Sequence, residues 1–220
     1  MLLILILAIS PVLAILMFVY YEDKYEKEPL LMLINAFFLG FLAVIISIVI
    51  YKIFPENFFT KNANINRALL INFLIGIIEE TSKFLIFILF IWKNKNFNEK
   101  FDGIIYSVFI SLGFASLENL KYILIAEDPY YTAILRGLTS VPAHGIFGVS
   151  MGFFIGKAKF DRKSFIILAI LIPIILHFLY DLLIDISMNV WIPISLYLIF
   201  FSLLSFLMIK KHSEDSLFKP

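Results

Sequence analysis

The sequence predicts an all-α, polytopic transmembrane helix bundle of about seven helices, and three observations support this. Hydrophobic residues make up 61% of the 220, against roughly 45–50% in a soluble domain. The apolar residues run in stretches of about twenty, the length at which a helix crosses a ~30 Å hydrocarbon core. Polar interruptions separate these stretches, and no repeat or low-complexity linker divides the chain, so residues 1–220 read as a single integral membrane domain.

The first span covers 1–21 and ends at the charged run Glu22 to Glu28. It has no basic leading region and a longer apolar run than a secretory signal, so we read it as a retained helix. Spans at 30–54 and 67–92 follow; the second of these carries Glu79, Glu80 and Lys83 in its middle. The fourth, 103–126, has Ser107, Ser111 and Gly113 as small surface for close packing. The fifth, 134–156, pairs a glycine stripe at Gly145, Gly148 and Gly152 with Pro142, which is expected to kink it. Pro173 in the sixth, 165–186, frees a carbonyl one turn before His177. The seventh is 192–209.

Orientation follows from the basic residues near the ends of the spans. One side holds Lys24, Lys27, Lys93, Lys95, Lys100, Lys157, Lys159, Arg162, Lys163, Lys210, Lys211 and Lys219, twelve in all, against Lys52, Lys61, Arg67 and Arg136 on the other. The positive-inside rule then places the N-terminus outside and the C-terminus inside. A net charge of +1 without a basic patch argues against nucleic acid as a partner. Zero cysteines exclude disulfides, thiolate metal sites and a cysteine nucleophile.

The chemistry resides in ionisable groups on four of the spans. A charge at a helix centre costs roughly 2.5–3.5 kcal/mol on insertion scales, so Glu79 and Glu80 need a wet cavity, a partner or a reaction. Lys83 lies one turn on from both. Adjacent residues diverge by about 100° around a helix, so one glutamate can face a cavity while the other is held by Lys83 or a neighbouring helix. Glu118, followed by Asn119 and with Tyr122 four residues on, brings another acid. His144 shares a face with Arg136 and Ser140, and His177 with Asp181. At 1.5 Å per residue, Glu79, Glu118, His144 and His177 all fall between the midplane and the outer third, which a shared cavity would produce. Taken one at a time, these features also fit a buried ion pair, a polar packing seam or an interhelical hydrogen bond.

Glu79-Glu80-Thr-Ser-Lys83, Gly113-Phe114-Ala-Ser-Leu-Glu118-Asn119-Leu-Lys-Tyr122, His144 and His177-Phe-Leu-Tyr-Asp181 resemble, in order and spacing, the motifs of the PrsW family of intramembrane proteases, relatives of the CAAX-prenyl endopeptidase and Abi group. The resemblance covers about 67–186. CAAX-type relatives carry His where this chain has Glu118 and Asn where it has Asp181, so both departures favour the PrsW branch. The resemblance implies a glutamate-dependent endopeptidase in which the first Glu of the pair activates water and His177 with its neighbour stabilises the oxyanion. It also implies site-1 cleavage of a membrane-anchored anti-sigma factor.

We therefore expect an intramembrane endopeptidase of a prokaryotic plasma membrane with a membrane-anchored protein substrate. Its catalytic residues would be Glu79, Glu80, Glu118, His144, His177 and Asp181, with Lys83, Asn119 and Tyr122 supporting them. Hydrolysis is expected to proceed without a cofactor, because no two histidines share a helix and a compact zinc cage is not dictated by spacing; zinc on Glu118, His144 and His177 is the alternative. A proton- or ion-coupled transporter would use the same acids as a relay, but the chain shows no inverted repeat. A scaffold would keep them as structure alone. The sequence leaves the oligomeric state open.

Overall fold

The protein, as a computed structural model, is described over residues 2–55, 58–59, 65–186 and 189–219; Lys61, counted above for orientation, lies outside the described residues. Every regular element among them is a helix: α1 (Leu2–Glu22), α2 (Leu30–Tyr51), α3 (Ile65–Phe90), α4 (Lys100–Ile125), α5 (Pro129–Leu138), α6 (Ser140–Phe160), α7 (Phe165–Ile186) and α8 (Trp191–Glu214). By length and composition α1, α2, α4, the α5–α6 pair, α7 and α8 can cross a membrane. Glu79, Glu80 and Lys83 make α3 more polar, and all three are buried inside the bundle.

The fifth span differs from its expected form. It extends over Pro129–Phe160 and breaks at Thr139, so Pro142 does not kink a continuous helix. Pro142 sits in the first turn of α6, where its missing N–H would have had no helical partner in any case. Asp128 caps α5 by accepting from the Tyr131 N–H at 3.0 Å, with Pro129 opening the helix.

Helices α4 and α6 form the centre and are buried along most of their length. α6 and α2 flank α4, and α7 closes the site side by packing on α3 and α6. Lipid tails are as apolar as leucine, so helices associate in a bilayer by close fit rather than by exclusion of water. Glycine permits that fit at the two α4 contacts. A methyl carbon on Gly113 would fall on the Phe37 carbonyl of α2, and one on Gly103 would lie 2.5 Å from the Gly152 carbonyl of α6.

At the opposite end of α4 from Glu118, Asp23, Glu28, Glu99 and Asp102 are buried together. Asp102 accepts from the Asn98 and Glu99 N–H groups, both at 2.7 Å, closing a capping box that starts α4. Tyr106 donates to Glu28, and the Glu28 N–H donates to Asp23 at 3.1 Å. Ser216 donates to Glu99, and Ser213 to the Glu22 carbonyl at 3.1 Å, so the end of α8 is tied to α1 and α4. Burial pushes the Asp23 carboxyl up to about 6 and the Glu28 carboxyl up to about 7, against the opposing pull of their hydrogen bonds.

Candidate active site

α3 turns its two glutamates in different directions. Glu80 faces inward, wholly buried, and its Oε1 accepts from Lys83 Nζ at 2.7 Å and pairs with His177 Nδ1 at 2.8 Å. Glu79 faces a cavity of about 800 Å³ that is also lined by Glu118, Arg136, His144, His177 and Asp181. Its Oε1 accepts from Tyr51 Oη of α2 at 3.0 Å, and its Oε2 is buried without a hydrogen-bond partner among the described residues.

The remaining groups form one chain of donors and acceptors. Lys83 is wedged between Glu80 and His144, with Nζ 2.9 Å from His144 Nδ1 and 4.3 Å from the centre of the Phe114 ring. An ammonium has only donors, so His144 accepts at Nδ1 and carries its proton on Nε2, which meets Glu118 Oε2 at 3.1 Å. Glu118 also receives Arg136 Nη2 at 2.9 Å. By the same reasoning, Glu80 as acceptor places a proton on His177 Nδ1. His177 Nε2 then points into the space between Asp181 Oδ2, at 3.6 Å, and Glu79 Oε2, at 3.9 Å. Phe147 stacks on the His177 ring at 4.9 Å and fixes its plane.

Five of the six residues singled out as catalytic, Glu79, Glu118, His144, His177 and Asp181, thus line one cavity, and Glu80 stands behind it on His177. Of the supporting residues, Lys83 holds a glutamate as expected. Tyr122 supports the site through Arg136, packing its ring 4.0 Å from the guanidinium. Asn119 accepts from Arg136 Nε at 2.7 Å. Asp185, one turn beyond Asp181 on α7, accepts from Asn72 at 2.8 Å. Three contributors were missed. Arg136, noted only for its spacing, is the cation on Glu118; Ser140 accepts from it at 3.0 Å; and Tyr51 comes from outside 67–186. Arg136 ends the short helix α5, and the break at Thr139 is what brings it over Glu118. Nothing marks Tyr51 in the sequence beyond its being a polar aromatic at the end of a span.

The donors also suit a metal. Glu79, Glu118 and His144 each offer a ligand atom within 4.8 Å of the other two, and the Glu79 carboxylate has an oxygen, Oε2, that no hydrogen bond occupies among the described residues. Two carboxylates and an imidazole are acceptable zinc ligands, with His144 giving up its Nε2 proton to bind.

Comparison with known proteins identifies the family. The family model described as PrsW family intramembrane metalloprotease matches residues 28–208. A protein named Protease PrsW from Clostridioides difficile (strain 630) is 39% identical over 185 residues, covering 80% of this chain and 76% of the relative. The protein of the same name from Halalkalibacterium halodurans is 36% identical, covering 79% and 80%, and that from Bacillus subtilis (strain 168) is 34% identical, covering 84% and 83%. No solved structure matches the chain significantly.

Proposed function

The chain belongs to the PrsW family of intramembrane proteases, and from that premise we propose that it hydrolyses a peptide bond of a membrane-anchored protein with Glu79 as the general base. The observation that carries this is the division of labour between the glutamates. Both glutamates leave Oε2 without a hydrogen bond among the described residues, but Glu80 is spent on Lys83 and His177 away from the cavity, whereas Glu79 is fixed through Oε1 by Tyr51 and lines it. Glu79 Oε2 takes a proton from water as the water oxygen bonds to the carbonyl carbon. The same proton then goes to the leaving nitrogen as the C–N bond breaks. A protonated His177 offers Nε2–H to the oxyanion, and Asp181 orients the ring. Glu118, with Arg136 and His144, sets the charge of the opposite wall.

The family description and the three converging donors favour a second reading. A divalent ion such as zinc, held by Glu79, Glu118 and His144, would supply a Lewis acid and a more acidic water. The substrate we propose is a single-span protein such as an anti-sigma factor, a choice resting on kinship. The orientation we propose has the N-terminus outside, in a bacterial plasma membrane, tested by reaction of single introduced cysteines near Ala126 and Ile134 with an impermeant thiol reagent.

Reconstitution in liposomes with a single-span substrate tests the activity. Cleavage that survives a strong chelator supports the glutamate mechanism. Activity lost to the chelator and restored by stoichiometric zinc supports the metal reading, and an intact substrate under all conditions rejects both.

A further inference from the structure

A second cavity, of about 610 Å³, lies outside the site, where α1 and α2 both pack on α4 and leave a groove between them. On α1 it is walled by a stripe at helical spacing that includes Leu5, Ala8, Val12, Leu16 and Tyr20. Phe38 and Phe41 of α2 form the facing wall, and Phe109 and Leu117 of α4 part of the floor.

We infer that this groove seats the transmembrane helix of the protein substrate, an inference that rests on the protease reading above. Length is the first reason. From Leu5 to Tyr20 the α1 wall runs about 22 Å at 1.5 Å per residue. One leaflet of a ~30 Å hydrocarbon core is only ~15 Å deep, so the groove outruns an acyl chain and suits an element that crosses the bilayer. Lining is the second. Lipid recognition uses Lys and Arg on the headgroup, and none lines this groove. Lys27, near Tyr20, is engaged on the Tyr20 carbonyl at 2.5 Å, and the Ser116 hydroxyl donates within its own helix to Leu112 at 2.7 Å. What remains is shape and apolar surface, the means by which helices associate in lipid. Continuity is the third. Leu117 and Leu120 line both this groove and the catalytic cavity, on either side of Glu118. A helix lying in the groove therefore has its neighbouring backbone delivered beside Glu118.

Two quenched-fluorescence probes in phosphatidylethanolamine–phosphatidylglycerol vesicles test this: a cleavable segment joined to a single apolar helix, and the same segment alone. Leu13→Trp fills the groove from an exposed position away from the reacting groups. It is expected to raise KM for the helix-bearing probe about tenfold, the equivalent of ~1.4 kcal/mol, with kcat unchanged and the short probe unaffected. Equal kinetics on the helix-bearing probe before and after substitution overturn the inference.

Crosslinking supplies a readout independent of turnover and of the behaviour of the tryptophan variant. The chain has no cysteine, so Leu13→Cys can be joined to a cysteine at the middle of the probe helix, with Leu203→Cys on the exposed face of α8 as control. Crosslinking at position 13 well above position 203 supports the inference. Equal crosslinking, crosslinking between two copies of this chain, or labelling by an acyl-chain photoprobe that the helix does not displace overturns it. Selective crosslinking without cleavage of either probe leaves the docking site standing and rejects the protease reading instead.

Discussion

Buried charge gathers at both ends of α4, and the two groups are built in opposite ways. Around Glu118, carboxylates alternate with cationic or imidazole partners: Arg136, His144, Lys83 and His177 stand between Glu118, Glu80, Glu79 and Asp181. About 24 Å away along α4, Asp23, Glu28, Glu99 and Asp102 meet mainly neutral donors, a tyrosine, a serine and backbone N–H groups. The first group opens on a cavity of about 800 Å³; the second lines neither of the two cavities described. Buried carboxylates as such therefore do not mark a reaction centre. Interleaved cations beside a cavity are what set the first group apart, since unpartnered carboxylate oxygens occur in both.

The largest effect should come from separating the two glutamates. Glu79→Gln keeps the shape and the Tyr51 contact but removes the base, and we expect it to lower turnover by roughly 10²–10⁴-fold with no change in thermal midpoint in detergent. Glu80→Gln should reduce activity and stability together, because it weakens the anchor of both Lys83 and His177. Full turnover by Glu79→Gln would remove the distinction between a working and a holding glutamate.

Much of this contrast was legible in the sequence. Two adjacent acids at the centre of an apolar stretch had to be reconciled with the membrane, and equal depth on four spans predicted one cavity. The roles within the pair were not legible, because helical periodicity says that Glu79 and Glu80 diverge without saying which faces the cavity. That follows from α7 packing on α3 so that His177 reaches Glu80. For Arg136 the spacing to Ser140 and His144 was legible but not its role, which depends on the helix breaking at Thr139 and carrying the guanidinium over Glu118. In the sequence, Asp23 and Glu28 are only part of the charged run that closes the first span, since nothing local shows that Tyr106 and the end of α8 will cover them.

Lys83 sharpens the comparison from the stability side. Its side chain and that of Glu80 are both almost wholly removed from solvent. Lys83→Met leaves the Glu80 carboxylate in the core without its ammonium, a change that typically costs about 3–5 kcal/mol. The double variant with Glu80→Gln should recover most of that loss, since removing both charges of a buried pair is far milder than removing one. Denaturant unfolding in mixed micelles measures both. Additive losses would show that the pair is not coupled and that the donor chain through His144 has been misjudged.

The smallest effect belongs to the acidic group and has the opposite sign. Asp23 and Glu28 bind protons more tightly in the folded chain, at about 6 and about 7, than the ordinary values of 3.8 and 4.5. Between those values the folded state holds protons that the unfolded state has released, so the contribution of these two groups to stability falls as pH rises. The loss runs from 3.8 to about 6 for Asp23 and from 4.5 to about 7 for Glu28, and is complete above. Asp161, which a hydrogen bond from Lys100 holds below 3.8, acts in the other direction but only at pH below that window. Thermal midpoints measured from pH 4 to pH 8 in detergent should therefore drop by a few degrees. Glu28→Gln, which keeps an acceptor for Tyr106 and removes the titration, should flatten the upper part of that slope while leaving cleavage intact. A midpoint that climbs through this range, or a Glu28→Gln curve parallel to that of the parent chain, would mean that burial does not govern this group and that the two ends of α4 are more alike than their geometry indicates.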